Sequence, residues 1–135
     1  MAIRYALNPP AFTVADFVRV LGASSLGARR PLTDTARMAR MLEHANVLVV
    51  AYAAGEPVGV ARAWTDHAYA CYLADLVVVN AYQRQGIGRE LIRQVKAAAG
   101  PESMLLLLAA PEATAYYPHL GFEKVERAWF LPREA

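Results

Sequence analysis

LADLVVVNAYQRQGIGRELIRQVKAAAG, Leu73 to Gly100, is the stretch on which the reading of the fold turns. Leu76-Val77-Val78-Val79 is a short continuous apolar run rich in β-branched residues, the pattern of a strand buried on both faces. From Ile87 the period changes: Ile87, Leu91, Ile92, Val95 and Ala98 recur at helical spacing, while Arg89, Glu90, Arg93, Gln94 and Lys96 fill the opposite face. Gly100-Pro101 ends that helix. Between strand and helix lies Gln83-Arg84-Gln85-Gly86-Ile87-Gly88, a turn suited to an anion. The first amides of a helix have no partner within it, and the summed peptide dipoles leave about half a positive charge at that end. Gly86 and Gly88 carry no β-carbon to hold a ligand off, and Arg84 and Arg89 add charge.

Two phosphate motifs fail on inspection. A dinucleotide fingerprint needs a third glycine where Leu91 stands, and an acidic residue closing the next strand, where Leu105 to Leu108 are apolar. A P-loop needs Gly-Lys-Ser or Gly-Lys-Thr, and Gly88 is followed by Arg89-Glu90. The segment Gln83 to Gly88 instead resembles the Q/R-x-x-G-x-G/A pyrophosphate loop of the GNAT superfamily of acetyl-CoA-dependent N-acetyltransferases, preceded as in that family by an apolar strand. A second segment, Tyr116-Tyr117-Pro118-His119-Leu120-Gly121-Phe122, is similar to the family's later F-Y-x-x-x-G-F block. The resemblance runs from about Trp64 to Phe130 and is weaker before it.

At 135 residues the chain reads as one domain spanning residues 1–135, long enough for a core without staples. Hydrophobic residues make up 56% and charged residues 19%, so a buried sheet, an oligomer interface or both are expected; Trp129 and Phe130 are candidates for a homodimer interface. A net charge of +2 with scattered arginines does not point to nucleic acid. The longest apolar run, Val47 to Ala54, is far shorter than a membrane span, and the first residues have no signal-peptide pattern. Cys71 is alone, which excludes a disulfide framework and a cysteine metal cluster and suits a reducing cytoplasm.

In chain order, Ile3 to Leu7 reads as a strand stopped by Asn8-Pro9-Pro10. Thr13 caps a helix with Val14, Phe17, Val18 and Leu21 on one face. Gly22 to Pro31 is a long connection whose length suits a site-lining loop or a plain surface linker. Thr33 or Asp34 opens a second helix that buries Met38, Met41, Leu42 and Ala45. Val47 to Ala53, Gly55-Glu56-Pro57 and Val58 to Trp64 form a hairpin; Asp66-His67 turns into a strand from Tyr69 to Val79. Met104 to Ala109 is a further strand, Glu112 to Tyr117 a short helix broken by Pro118, and Lys124 to Leu131 a last strand. The order matches what the resemblance implies, a GNAT fold: a mixed α/β sheet with helices on both faces.

The resemblance also implies a chemistry, transfer of an acetyl group from acetyl-CoA, as co-substrate and without a metal, to a primary amine of a small-molecule acceptor. In the family the pantetheine arm lies along the central strand like an added strand, which maps those contacts to Leu76, Val77 and Val78. The phosphates map to Arg84, Gln85, Gly86, Ile87, Gly88 and Arg89. Tyr117 matches the family's tyrosine near the thioester sulfur, a phenol that is protonated at neutral pH and able to supply a departing thiolate with its proton. Tyr116 is expected in the core. Asp75 is the candidate base, or equally a strand-bulge acid bonded to backbone. His67 and His119 lie in expected surface turns, and an amine can also lose its proton to water. The acceptor pocket is expected among the Ser24 to Arg30 loop, Trp64, Tyr69 and Tyr72. Two departures stand out: Ala110 replaces the asparagine common seven residues before the tyrosine, and Pro118 shortens the helix that carries it. The alternative is an acyl-CoA sensor of the same fold without turnover.

Overall fold

The computed structural model describes residues 2–135. Five strands form one sheet in sequence order: β1 (Ile3–Leu7), β2 (Val47–Ala53), β3 (Glu56–Thr65), β4 (Ala70–Val78) and β5 (Met104–Leu107). The first four are antiparallel neighbours, and β5 joins β4 in parallel. Such a pair needs a crossover, here α3 (Ile87–Ala99). Two helices, α1 (Val14–Gly22) and α2 (Thr35–His44), cover the other face. Thr13 caps α1 through a reciprocal pair: its Oγ1 accepts from the Asp16 N–H at 3.1 Å, and Asp16 Oδ2 accepts from the Thr13 N–H at 3.0 Å.

The two faces of β2 show why the sheet needs cover on both. Val47, Val49 and Ala51 pack with Ile87, Leu91 and Val95 of α3, whereas Leu48 and Val50 pack with Phe17, Leu21 and Met38 of α1 and α2. A strand that is apolar at every position has no face to leave in water. Burying each of the larger side chains contributes about 1.5–3 kcal/mol. The turn from β3 to β4 rests on Asp66, whose Oδ1 accepts from the N–H groups of Ala68, Tyr69 and Ala70; these bonds hold its carboxyl at about 2.

β4 departs from a regular strand in a way that decides the site. Arg62 of β3 faces Asp75, but the next partners are Ala63 and Leu73, so Ala74 is an added residue, a β-bulge. The bulge switches faces: Cys71 and Leu73 pack on the α3 side, whereas Val77 packs with α1 and α2. Asp75 is consequently buried on the α1–α2 side. Its Oδ1 accepts from Arg30 Nε at 2.7 Å and its Oδ2 from Arg62 Nε at 2.5 Å. Arg30 Nη2 also donates to the Ala74 carbonyl, at 2.9 Å, and Arg62 Nη1 donates to the Met41 carbonyl, at 3.1 Å.

Three expectations need correction. The segment 124–131 forms no strand, since strand-forming residues extend a sheet only where an edge pairs with them, and this segment pairs with none. The expected helix over Glu112 to Tyr117 is replaced by two 3₁₀ turns, Pro111–Ala113 and Tyr117–Leu120. Pro111 and Pro118 leave too few residues between them to nucleate an α-helix. Along β4 only alternate residues are fully buried: Asp75 and Val77 are, while Leu76 and Val78 are partly open. Their opening is a cleft rather than bulk solvent. Among the described residues no helix is long and apolar enough to cross a membrane.

Removing the Asp75 carboxylate strands two guanidinium groups, one of them buried. Asp75→Ala is expected to cost about 3–5 kcal/mol, read as a lower urea midpoint at an unchanged slope.

Candidate active site

The β4–β5 ladder runs from the Ala70–Met104 pair to the Leu73–Leu107 pair and stops there. Beyond it the two strands part, and the bulge at Ala74 lies at the point of parting. A cleft of about 110 Å³ opens along the freed edge of β4, lined by Ala74, Leu76, Val77 and Val78 on one side and by Leu107, Leu108 and Tyr117 on the other. The three residues mapped to a pantetheine arm thus share one groove with the mapped tyrosine.

Past the end of β4 lies the anion turn. Residues Asn80–Tyr82 form a 3₁₀ turn, and Gln83 Nε2 holds it by donating to the Val78 carbonyl at 3.2 Å and to Asn80 Oδ1 at 3.3 Å. Arg84 takes the left-handed backbone conformation at φ 65°, and so does Gly86, at φ 82°, as the residue before α3. No side chain caps the helix. The first N–H groups of α3 therefore point outward without an intrahelical partner, and the macrodipole adds to them. Arg84, Gln85 and Arg89 are exposed around the turn. Ile87 buries its side chain against the sheet and offers only its backbone here.

Gly88 lies under a side chain that the sequence did not disclose. A β-carbon there would lie 2.8 Å from the Tyr116 hydroxyl, so Tyr116 reaches over the first turn of α3. It is 40% exposed, not in the core as expected. Tyr117 is the more deeply set of the two, edge-on to Tyr116 at 5.3 Å and to Phe122 at 5.5 Å between ring centroids. Tyr117 packs against the α3-side core and Tyr116 does not, so Tyr117 takes the inward position. Burial, with a smaller contribution from Tyr116, pushes the Tyr117 phenol above its ordinary 10.0.

A second cleft, of about 640 Å³, lies on the α1–α2 face and shares Leu26, Arg30, Ala74, Leu108 and Ala110 with the first. The two therefore meet at the β4 bulge. Its floor is Trp64 stacked on Tyr72, at 6.1 Å and 7°, with the Arg62 guanidinium 4.8 Å over the Trp64 ring. Leu26, Arg29 and Arg30 from the long connection line it, as one of its two readings had it, and that connection is structured as a 3₁₀ turn over Ser25–Arg29. Tyr69 does not line the cleft; it is 74% exposed. His67 and His119 lie exposed in turns outside both clefts. Asp75 lies under the bulge with both oxygens engaged, bonded to side chains rather than to the backbone of a bulge acid. Arg62 escaped the reading of the sequence, although a lone charge inside the apolar run Val58 to Trp64 was a signal that a buried partner awaited it. Among the described residues no group of three or more histidine, cysteine or acidic side chains is placed to hold a metal.

The family model for the acetyltransferase (GNAT) domain matches residues 27–130. The chain is similar to GCN5-related N-acetyltransferase 2, chloroplastic, of Arabidopsis thaliana, at 34% identity over 68 residues. That match takes in 49% of this chain and only 26% of the relative's length. Among solved structures it is similar to a candidate acetyltransferase of Deinococcus radiodurans R1, with a TM-score of 0.78 and 28% identity, covering 97% of this chain and 88% of that one. It shares its fold with aminoglycoside N-acetyltransferase AAC(6')-Iy, solved in complex with CoA, at a TM-score of 0.73, 19% identity, and 99% and 96% coverage. A strand that parts from its neighbour beside an uncapped, glycine-led helix is thus set in a chain most of which fits one family model, and the protein belongs to the GNAT acetyltransferase family.

Proposed function

We propose that residues 1–135 act as a single acetyltransferase domain that moves an acetyl group from acetyl-CoA directly to a primary amine of a small-molecule acceptor. One observation carries the reading: the β4–β5 ladder ends at Leu73 and Leu107, which opens a groove along β4 lined by Gln83, from the turn before α3, and by Tyr117. The CoA complex of AAC(6')-Iy, on the same fold, supports the choice of donor.

In this reading the backbone of Leu76, Val77 and Val78 takes the donor's pantetheine arm as an added strand, and the cleft walls exclude water from it. The amides of Gly86, Ile87 and Gly88 take the phosphates, with Arg84, Gln85 and Arg89 supplying charge and further donors at the rim. Tyr117 lines the groove, and its hydroxyl gives its proton to the departing thiolate; a phenol raised by burial holds that proton throughout the neutral range. Asp75 holds the bulge through the two guanidinium groups from which its oxygens accept, and the amine's proton leaves to water. The amine enters from the second cleft and meets the thioester where the two clefts join, at Ala74.

Thermal unfolding tests the donor site. Acetyl-CoA or CoA at a hundred times its dissociation constant is expected to stabilise the protein by about 2.7 kcal/mol, with no such rise for ATP. An equal midpoint with and without the CoA compounds refutes the phosphate-turn assignment. Gly86→Ala, forced to hold φ 82°, is expected to lose about 1–2 kcal/mol of stability and part of the CoA-induced rise. Tyr117→Phe is expected to keep the CoA-induced rise while kcat falls roughly 10²-fold or more. With the phenol raised, the high-pH fall in wild-type kcat that Tyr117 causes is expected only above pH 10.0. That fall is absent from the Phe variant if Tyr117 is the acid.

A further inference from the structure

The second cleft carries an imbalance of charge that bears on what enters it. Five arginines line it, Arg29, Arg30, Arg37, Arg62 and Arg133, and no aspartate or glutamate does. The anions near these arginines account for only part of that charge. Asp75 lies beneath Arg30 and Arg62, Glu112 is 3.7 Å from Arg29, and the Ala135 carbonyl accepts from Arg37 Nη2 at 3.3 Å. If both carboxylates are counted in full, three positive charges remain in excess. Among the described residues no carboxylate pairs with Arg133.

The five arginines divide by the use of their donors. Arg62 is buried and committed to Asp75 and the Met41 carbonyl, and Arg30 to Asp75, Ala74 and Arg29. Arg37 and Arg133 retain N–H groups that no neighbouring residue takes. A concave, low-dielectric wall of one sign concentrates its field and favours an occupant of the other sign. Guanidinium forks match carboxylates in geometry as well as charge. Trp64 and Tyr72, with Phe130 from the far wall, give the same cleft an apolar surface for the rest of the molecule.

The same excess acts on the reacting nitrogen. An amine attacks only when neutral, and nearby positive charge disfavours its ammonium form. Asp75 is buried and already paired with two guanidinium groups. The field of the arginines lowers the amine's proton affinity without a dedicated base, and the proton leaves to water through the open cleft.

We propose that the acceptor is an amine that carries a carboxylate and an apolar body, the amine at the β4 bulge and the carboxylate toward Arg37 and Arg133. This rests on the reading of the two clefts as donor and acceptor sides. The test is thiol release from acetyl-CoA with a panel of aliphatic and aromatic amino carboxylates. Each is paired with its methyl ester and its decarboxylated amine, which bracket it in amine basicity, and a polyamine is included. Amino carboxylates are expected to exceed both of their partners by about tenfold or more in kcat/KM, the worth of one charged hydrogen-bonded pair. Arg37→Gln and Arg133→Gln are expected to raise KM for the carboxylate and to leave the ratio between ester and decarboxylated amine unchanged. Preference for esters, neutral amines or the polyamine, or no acetylation of any amino carboxylate, overturns the proposal. A midpoint rise with acetyl-CoA in that same preparation leaves the donor-site reading standing; its absence removes both.

Discussion

The two clefts of this chain meet beside one buried carboxylate. Asp75 is held between Arg30, from the connection after α1, and Arg62, from the neighbouring strand. Placing Asp75 and Arg62 out of water costs several kcal/mol per ion, and the arrangement survives only because nearly every donor and acceptor is matched. Both carboxylate oxygens are used, and Arg30 and Arg62 each reach a backbone carbonyl besides. Among the described residues no buried side-chain nitrogen or oxygen lacks a partner. The bulge at Ala74 directs the carboxylate to the α1–α2 side, and Arg30 fastens the connection to the bulge carbonyl.

Two clefts follow from that fastening. The bulge lies where β4 and β5 part, so the groove along β4 and the aromatic-floored cavity on the opposite face meet at Ala74. Acyl transfer benefits from such a crossing, because two reactants held against each other react as though one were present at very high concentration. Side chains fixed by packing do the holding: Trp64 is stacked on Tyr72, lies under Arg62, and donates its Nε1–H to the His44 carbonyl at 2.7 Å.

Much of the frame was legible in the residues. The change of period at Ile87, the glycines before it and the stop at Gly100 locate α3 and its outward amides, because helix ends are governed by local chemistry. Thr13 and Asp16 announce α1 in the same way. Where the reading failed, distant partners decided. The residues from Lys124 to Leu131 have strand-forming side chains, but a strand also needs an edge to pair with. Tyr116 and Tyr117 are chemically alike, and only the packing of the folded chain determines which ring turns inward.

The sequence by itself determined the elements whose causes lie within a few residues: the five strands of the sheet, the three α-helices and the glycine-led turn before α3. Tertiary structure alone decided which groups surround Asp75. Its two arginine partners lie 45 and 13 residues away, and no local pattern marks them as its partners. Tertiary structure also gathered five arginines around one cleft, from the connection after α1, from α2, from β3 and from the C-terminal segment. Charge scattered along a chain of net +2 carries no sign of a site until folding brings it together, since electrostatic energy depends on distance in space.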